Sequence, residues 1–424
     1  MMKSRILALV VAVSTTLPAS ALATDGYFAH GYGMKAKGMG GASTAVVFGT
    51  MGGAVNPAQM VLFGSGFDLG ADVFGPRRSA ARTANAYGLN GTADSGSLWF
   101  AMPEFGFNWM FGEKLSFGLT LYGNGGMNTD YPTGQIAANR CGMGAPASNL
   151  LCGPGRLGVN LEQMVIAPTV AFRLGAHQAI GISPLIGYQR FSASGVQAFS
   201  AYSSAPGSLS DMGTDSSIGL GVRIGWMANL SDAVSVGAAF APKMKMGAFE
   251  KYKGLFAEQG GFDFPANFNA GVAFKPAPGA LVALDYQRIN YSGVASVGNS
   301  SKAQAPLGSA GGPGFGWTDV NVLKLGLSYD VRPTLTVRAG YNHSDNPVQS
   351  ADVTFNILAP GVIQNHLTLG LSLRAGKTMD VNVAYLHAFE NSVSGATAML
   401  PGGGTDLVKM YQNSFGVSIT KKLK

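Results

Sequence analysis

Charge is scarce in this sequence. Only 12% of its residues are charged, although 46% are hydrophobic, where an average soluble protein carries about 25% charged residues. Long apolar runs are missing too. Beyond residue 23 no stretch reaches the roughly 18 consecutive apolar residues of a helical span, so membrane-crossing helices are excluded. Apolar composition without apolar runs means that the hydrophobicity is dispersed by alternation. In a bilayer only helices and closed barrels pair every backbone group, which leaves the barrel.

Cysteine is almost absent. Cys141 and Cys152 are the only two, too few for a zinc or iron–sulfur site without nearby histidines, and none of the five histidines is close. No metal or cofactor pattern is present. Glycine clusters such as Gly38–Gly41 lack the Lys-Ser/Thr and the strand–helix setting of a phosphate loop. Setting Lys3 and Arg5 aside from the 29 basic residues leaves 27 against 22 acidic ones. This modest excess is scattered and has no basic helix or aromatic-interleaved basic run, so it is no nucleic-acid footprint.

What is there begins with an export signal. Lys3 and Arg5 precede the apolar stretch Ile6–Val13, and Ala21-Leu22-Ala23 supplies the small-x-small pattern of a cleavage site. A signal peptide is therefore expected over 1–23. Export places Cys141 and Cys152 in an oxidising compartment, on either side of a Gly/Pro-rich segment. A local disulfide in a surface loop follows.

Strict alternation marks the strands. Leu367, Leu369, Leu371 and Leu373 alternate with Thr368, Gly370 and Ser372. Met379–Tyr385, Tyr411–Ile419 and Leu323–Tyr329 repeat the pattern. One face suits lipid and the other a polar lumen. Six short turns, at 112–114, 175–177, 230–232, 276–279, 331–333 and 375–377, alternate with seven longer Gly/Ser/Pro-rich stretches, at 76–96, 124–160, 200–215, 250–265, 296–318, 344–364 and 391–409. Thirteen connections join fourteen strands, and an even number puts both termini on the periplasmic side. The expectation is an all-β, transmembrane antiparallel barrel over 63–424. It is preceded at 24–62 by a compact, weakly charged segment that plugs the lumen.

Several segments carry a resemblance. Gly38-Met39-Gly40-Gly41-Ala42 followed by Asn56-Pro57-Ala58 resembles the N-terminal hatch of the FadL/TodX family of outer-membrane transporters. Glu104–Phe107, Lys114–Leu119, Ala266–Phe274 and Arg338–Tyr341 with Asp345–Val348 resemble later strands of that family, in order. The resemblance implies a fourteen-stranded barrel with a hatch, and uptake of long-chain fatty acids or aromatic hydrocarbons. It also implies an inward kink in the third barrel strand that opens the wall sideways. One departure is the C-terminus, Leu423-Lys424, where such barrels usually end in an aromatic residue.

These expectations select residues. An apolar pocket would draw on Tyr27, Phe28, Met34, Met39 and Phe48 of the hatch. A fatty-acid carboxylate needs a cation, and Lys324 is the first candidate, then Arg338, with Arg223, Arg374, Lys243 and Lys245 behind. Gly123, Gly125 and Gly126 mark the lateral opening, because glycine weakens strand pairing; otherwise they simply begin the loop 124–160. Two rivals stand beside the transporter. A general diffusion porin would line its lumen with charge ladders, whereas the inward positions here are mostly small or uncharged. A lipase-type enzyme would need a nucleophile and base in reach. Only His30 and His366 face the lumen, and no Gly-x-Ser-x-Gly elbow is present. The expected partners are a hydrophobic small molecule and the surrounding outer-membrane lipid and lipopolysaccharide. An edgeless barrel needs no second subunit and is expected to be monomeric.

Overall fold

Period-two alternation becomes strand throughout. The computed structural model describes residues 25–423, and the expected signal peptide at 1–23 lies outside them. The strands are β1 Gly66–Thr83, β2 Gly91–Asp94, β3 Phe100–Phe111, β4 Leu115–Tyr131, β5 Leu157–Leu174, β6 Gln178–Ser194, β7 Asp215–Asn229 and β8 Val234–Ala241. They continue as β9 Asn267–Phe274, β10 Ala280–Ile289, β11 Val320–Arg332, β12 Leu335–Ser344, β13 Asn365–Ala375, β14 Met379–Ala396 and β15 Thr405–Lys422. Apart from the short β2, which hangs on β1 at Ser79–Arg82, each strand pairs antiparallel with the next. β15 then returns to β1 from Gly66↔Lys422 to Thr83↔Thr405. The result is the closed fourteen-stranded antiparallel barrel, with β2 as one extra strand.

The two faces differ as lipid and lumen require. Leu323, Leu325, Leu327, Leu367, Leu369, Leu373, Phe415 and Val417 are exposed on the outside. Between them Lys324, Thr368, Ser372, Ser414 and Ser418 are buried inside. The six short turns fall at one end of the barrel. At the other end the strands run further than their composition suggests. β1 continues to Thr83, β4 to Tyr131 and β14 to Ala396, through stretches expected as loop. There neither face needs to be apolar, so the hydrophobic alternation fades although the ladder continues.

Residues 25–65 lie inside the barrel, almost entirely buried, and include short helices at Met34–Lys37 and Gln59–Phe63. Two patches of wall glycine let them approach. Gly326 pairs with Gly340, and a Cβ on Gly340 would fall on the backbone of Met39 and Gly40. Nearby, a Cβ on Gly38 would come 2.7 Å from the Cα of Gly370. Further round the wall Gly181 pairs with Gly225 and Gly237 with Gly271. Side chains there would strike Asn56, Pro57 and Thr44. The wall is thus shaved to backbone where the segment docks.

Gly340→Val should therefore displace the N-terminal segment at an overpacking cost of about 1–3 kcal/mol. The expected result is a barrel that still migrates faster unheated than boiled, but whose residues 25–65 are cut by protease. Wild-type protection of that segment would refute the docking role of the glycine patch.

Candidate functional site

The N-terminal segment is held by wall charges. Lys37 Nζ lies 2.8 Å from Asp72 of β1 and 3.8 Å from Glu104 of β3. Burial opposes the charge of Lys37, but these two carboxylates outweigh it and leave its pKa raised. Lys35 pairs with Asp380 of β14 at 2.7 Å. Asp285 of β10 accepts the backbone N–H groups of Ser43 and Thr44, each at 2.7 Å. Asp68 of β1 accepts from Thr50 N and Oγ1. The Asn56 side chain donates to Thr44 O and to Trp226 O of β7, while its Oδ1 accepts from Ala58 N. Asn56-Pro57-Ala58 is therefore a seat against the β7 wall.

Two lumen cations serve the same purpose. Lys324 donates to His30 O at 2.9 Å and lies 3.9 Å from Asp25. Arg223 donates to Ala54 O. Arg374, expected inward, is exposed and pairs with Asp380 at 3.3 Å. Lys243 and Lys245, expected on the strand Val234–Ala241, lie beyond its end and are exposed. Between and beside them Met244 and Met246 turn inward instead.

The hatch aromatics and methionines do not converge. Tyr27 and Phe28 enter a large apolar cluster at the long-loop end. Their ring centres lie 4.9 and 6.0 Å from Tyr291, and Tyr27 is 5.8 Å from Trp317 and 5.9 Å from Phe262. The Tyr291 hydroxyl accepts from Tyr27 N and donates to Asp25 O. Met34 instead packs on Gly416 and Met39 on Gly326. Phe48 sits at the opposite, short-turn end beside Arg338. The cluster partners Tyr291, Trp317, Phe262, Phe249 and Phe256 come from long connections. Their signal in the sequence is a density of aromatic residues too high for loops bathed in water.

Next to this cluster the wall ladder is broken. β3 and β4 pair only from Phe111↔Leu115 to Phe105↔Leu121. Beyond that, β4 follows β5 alone, with a register shift between Gly123 and Gly125 that leaves Asn124 as the extra residue. The glycines thus mark a bulge, and the strand runs on to Tyr131; they do not begin the loop. The freed edge of β4 bonds to the N-terminal segment: Ala29 N donates to Asn124 O and Gly126 N to Tyr27 O, each at 3.2 Å. A Cβ on Gly125 would strike the Tyr27 carbonyl, whereas one on Gly123 meets nothing nearer than 3.9 Å. Arg78 of β1 crosses the gap, donating to Asn128 O and Ser97 O with its guanidinium 5.5 Å from the Phe100 ring. Only about 20 Å³ of space remains between Phe74, Arg78, Gly126, Met127, Trp317 and Met410.

Cys141 and Cys152 are bonded to each other in the β4–β5 connection, with Cα atoms 5.5 Å apart. His30 and His366 stack inside the barrel, ring centres 6.1 Å apart.

A model of the family described as "Outer membrane protein transport protein (OMPP1/FadL/TodX)" matches residues 10–409. No curated protein matches the chain. Among solved structures, the Pseudomonas putida toluene transporter TodX is 18% identical with a TM-score of 0.69, covering 93% of this chain and 99% of its own. A Pseudomonas aeruginosa FadL homologue is 13% identical with a TM-score of 0.70, covering 94% and 100%. The Ralstonia pickettii toluene transporter TbuX is 18% identical with a TM-score of 0.64, covering 93% and 99%. At such identities the likeness shows the fold.

The docked segment should respond to pH. Burial holds the His30 imidazole well below its ordinary value of 6.5, and the charges of His366, Lys37 and Lys324 add to this. A released His30 binds its proton near the ordinary value and a docked one does not, so docking is strongest above about pH 6.5 and weakens as pH falls below it. Protease cleavage within residues 25–65 should rise between about pH 7.5 and 5, and less so in His30→Gln. Equal cleavage at both pH values would remove His30 from this account.

Proposed function

The chain belongs to the FadL/TodX family of outer-membrane transporters of hydrophobic compounds, and from that premise we propose that it takes up long-chain fatty acids or aromatic hydrocarbons passively, capturing them among the aromatics at the long-loop end and releasing them through the side of the barrel. The observation that carries this reading is the interrupted β3–β4 ladder beside Tyr27, Phe28, Tyr291 and Trp317. An apolar molecule gains about 0.8 kcal/mol for each methylene it buries. It therefore enters the aromatic cluster from water readily, and enters bilayer lipid from the cluster without facing water again. A straight route through the lumen would cross the charged contacts that hold the N-terminal segment.

In this reading residues 24–62 are the hatch. Tyr27 and Phe28 contact the ligand and also lie across the freed edge of β4, so ligand entry and wall opening share one short segment. Met34, Met39 and Asn56-Pro57-Ala58 seat the hatch. Lys324 holds its backbone at His30, and Arg338 with Phe48 belongs to the far end. Gly123, Gly125 and Gly126 supply the bend, and Arg78 closes the gap at rest. The long loops with the Cys141–Cys152 bridge face outward, and the short turns and both termini face the periplasm. The barrel works as a monomer in outer-membrane lipid and lipopolysaccharide, without a cofactor and without catalysis. A diffusion porin fits less well, because the segment 25–65 and the aromatic cluster fill its water path.

Deletion of Asn124 tests the route, since it removes the extra residue and restores the register of β4. Uptake of labelled toluene or fatty acid by cells should fall to the level of cells lacking the protein, with the barrel still heat-modifiable and surface-exposed. Normal uptake by a well-assembled deletion variant would rule out lateral release.

A further inference from the structure

The short-turn mouth of the barrel holds a second feature, which the transport reading does not use. A cavity of about 670 Å³ opens there to solvent. Phe48 and Val47 of the N-terminal segment form one side, and Leu281, Arg338 and Ser372 of the wall form another.

Arg338 decides the chemistry of this space. Its side chain is 9% exposed, and its guanidinium stands 5.6 Å from the centre of the Phe48 ring. Nη1 donates to Ser372 Oγ at 2.6 Å, and that hydroxyl donates in turn to Asn382 Oδ1. Nε has no partner. Among the described residues no carboxylate lies within 4.0 Å of Arg338. The acidic groups around the cavity are directed elsewhere. Asp380 is held by Lys35 at 2.7 Å and by Arg374 at 3.3 Å. Asp330 accepts from Thr336 at 2.6 Å. Asp232 and Lys275 are both exposed among the residues lining the cavity.

A nearly buried guanidinium without a counter-ion is costly unless an anion is supplied. Nε is closed off from solvent, so Nη2 is the guanidinium nitrogen left to donate to a carboxylate oxygen in the cavity. Beside it Phe48, Val47 and Leu281 offer apolar surface. We infer that this cavity binds small amphipathic carboxylates, the carboxylate on the Arg338 guanidinium and the apolar body against Phe48, Val47 and Leu281. The inference goes beyond the proposed uptake and does not depend on its route, because it concerns binding at the other end of the barrel. Inorganic phosphate shares the anionic part of this chemistry and lacks the apolar part, so the two can be told apart.

The test is calorimetric titration of the whole protein in lipid nanodiscs with benzoate, benzyl alcohol and inorganic phosphate. Benzoate should bind at least about tenfold more tightly than either of the others, the difference that one charge-assisted contact brings. Arg338→Gln should weaken benzoate by about the same factor. Benzyl alcohol binding as well as benzoate would overturn the anion site, and phosphate binding as well would overturn its amphipathic character. Benzoate binding unchanged in Arg338→Gln would place it elsewhere and equally refute the assignment. Should that variant fail to assemble, the ranking of the three probes on the wild-type protein still decides. Uptake can fail in the Asn124 deletion while benzoate binding persists, so the two readings stand or fall separately.

Discussion

Every backbone N–H and C=O inside a bilayer must find a partner within the protein, and the rest of this structure follows from that demand. Fourteen strands meet it by closing on themselves. Where β3 and β4 part, the demand is unmet by the ladder, and other groups meet it. The backbone of Tyr27–Ala29 bonds to β4 at Asn124 and Gly126, and Arg78 reaches Asn128 O from across the gap. The interruption is therefore a place where strand pairing has been exchanged for contacts that can be undone singly. A ladder opens cooperatively; a few separate bonds need not.

The same logic explains the charged lumen. Lys37, Asp72, Glu104, Asp285 and Lys324 are buried, which is tolerable only because each has an opposite charge or a backbone group to bond. Most of those bonds run between the wall and residues 25–65. Removing the N-terminal segment would leave the wall carboxylates and Lys324 facing one another across a wet lumen. The segment and the wall are in this sense one polar core, interleaved with the close contacts at the glycine patches.

The barrel was legible in the sequence because each membrane strand reports two environments at once. Leu367, Leu369 and Leu373 touch lipid while Thr368 and Ser372 touch the interior, and both facts are written locally. Strand ends such as 78–83 and 128–131 were not legible, because outside the bilayer the two faces no longer differ. The site was legible only in part. Gly123–Gly126 could be read as a bend or as a loop entrance, and only the pairing of their neighbours decides. Tyr27 was foreseeable as apolar, but Tyr291, 264 residues away, was not foreseeable as its partner. Lys324 was rightly seen to face inward. What it meets there, the His30 carbonyl, is a fact of the packed segment and leaves no mark on the alternation.

The seam between β1 and β15 has a consequence for how such a molecule comes into being. Its eighteen residue pairs join the first strand to the last, so every contact in it spans most of the chain. Non-local pairing of this kind is slow, and until it forms two full-length strand edges stand open to other chains. Residues 25–65 precede β1, and they touch β1, β3, β7, β10 and β13 around the circumference. None of those surfaces exists yet when the segment is made. It must wait, unfolded or chaperoned, for the wall that will enclose it, and it is the last ring closure that turns a tethered tail into an interior.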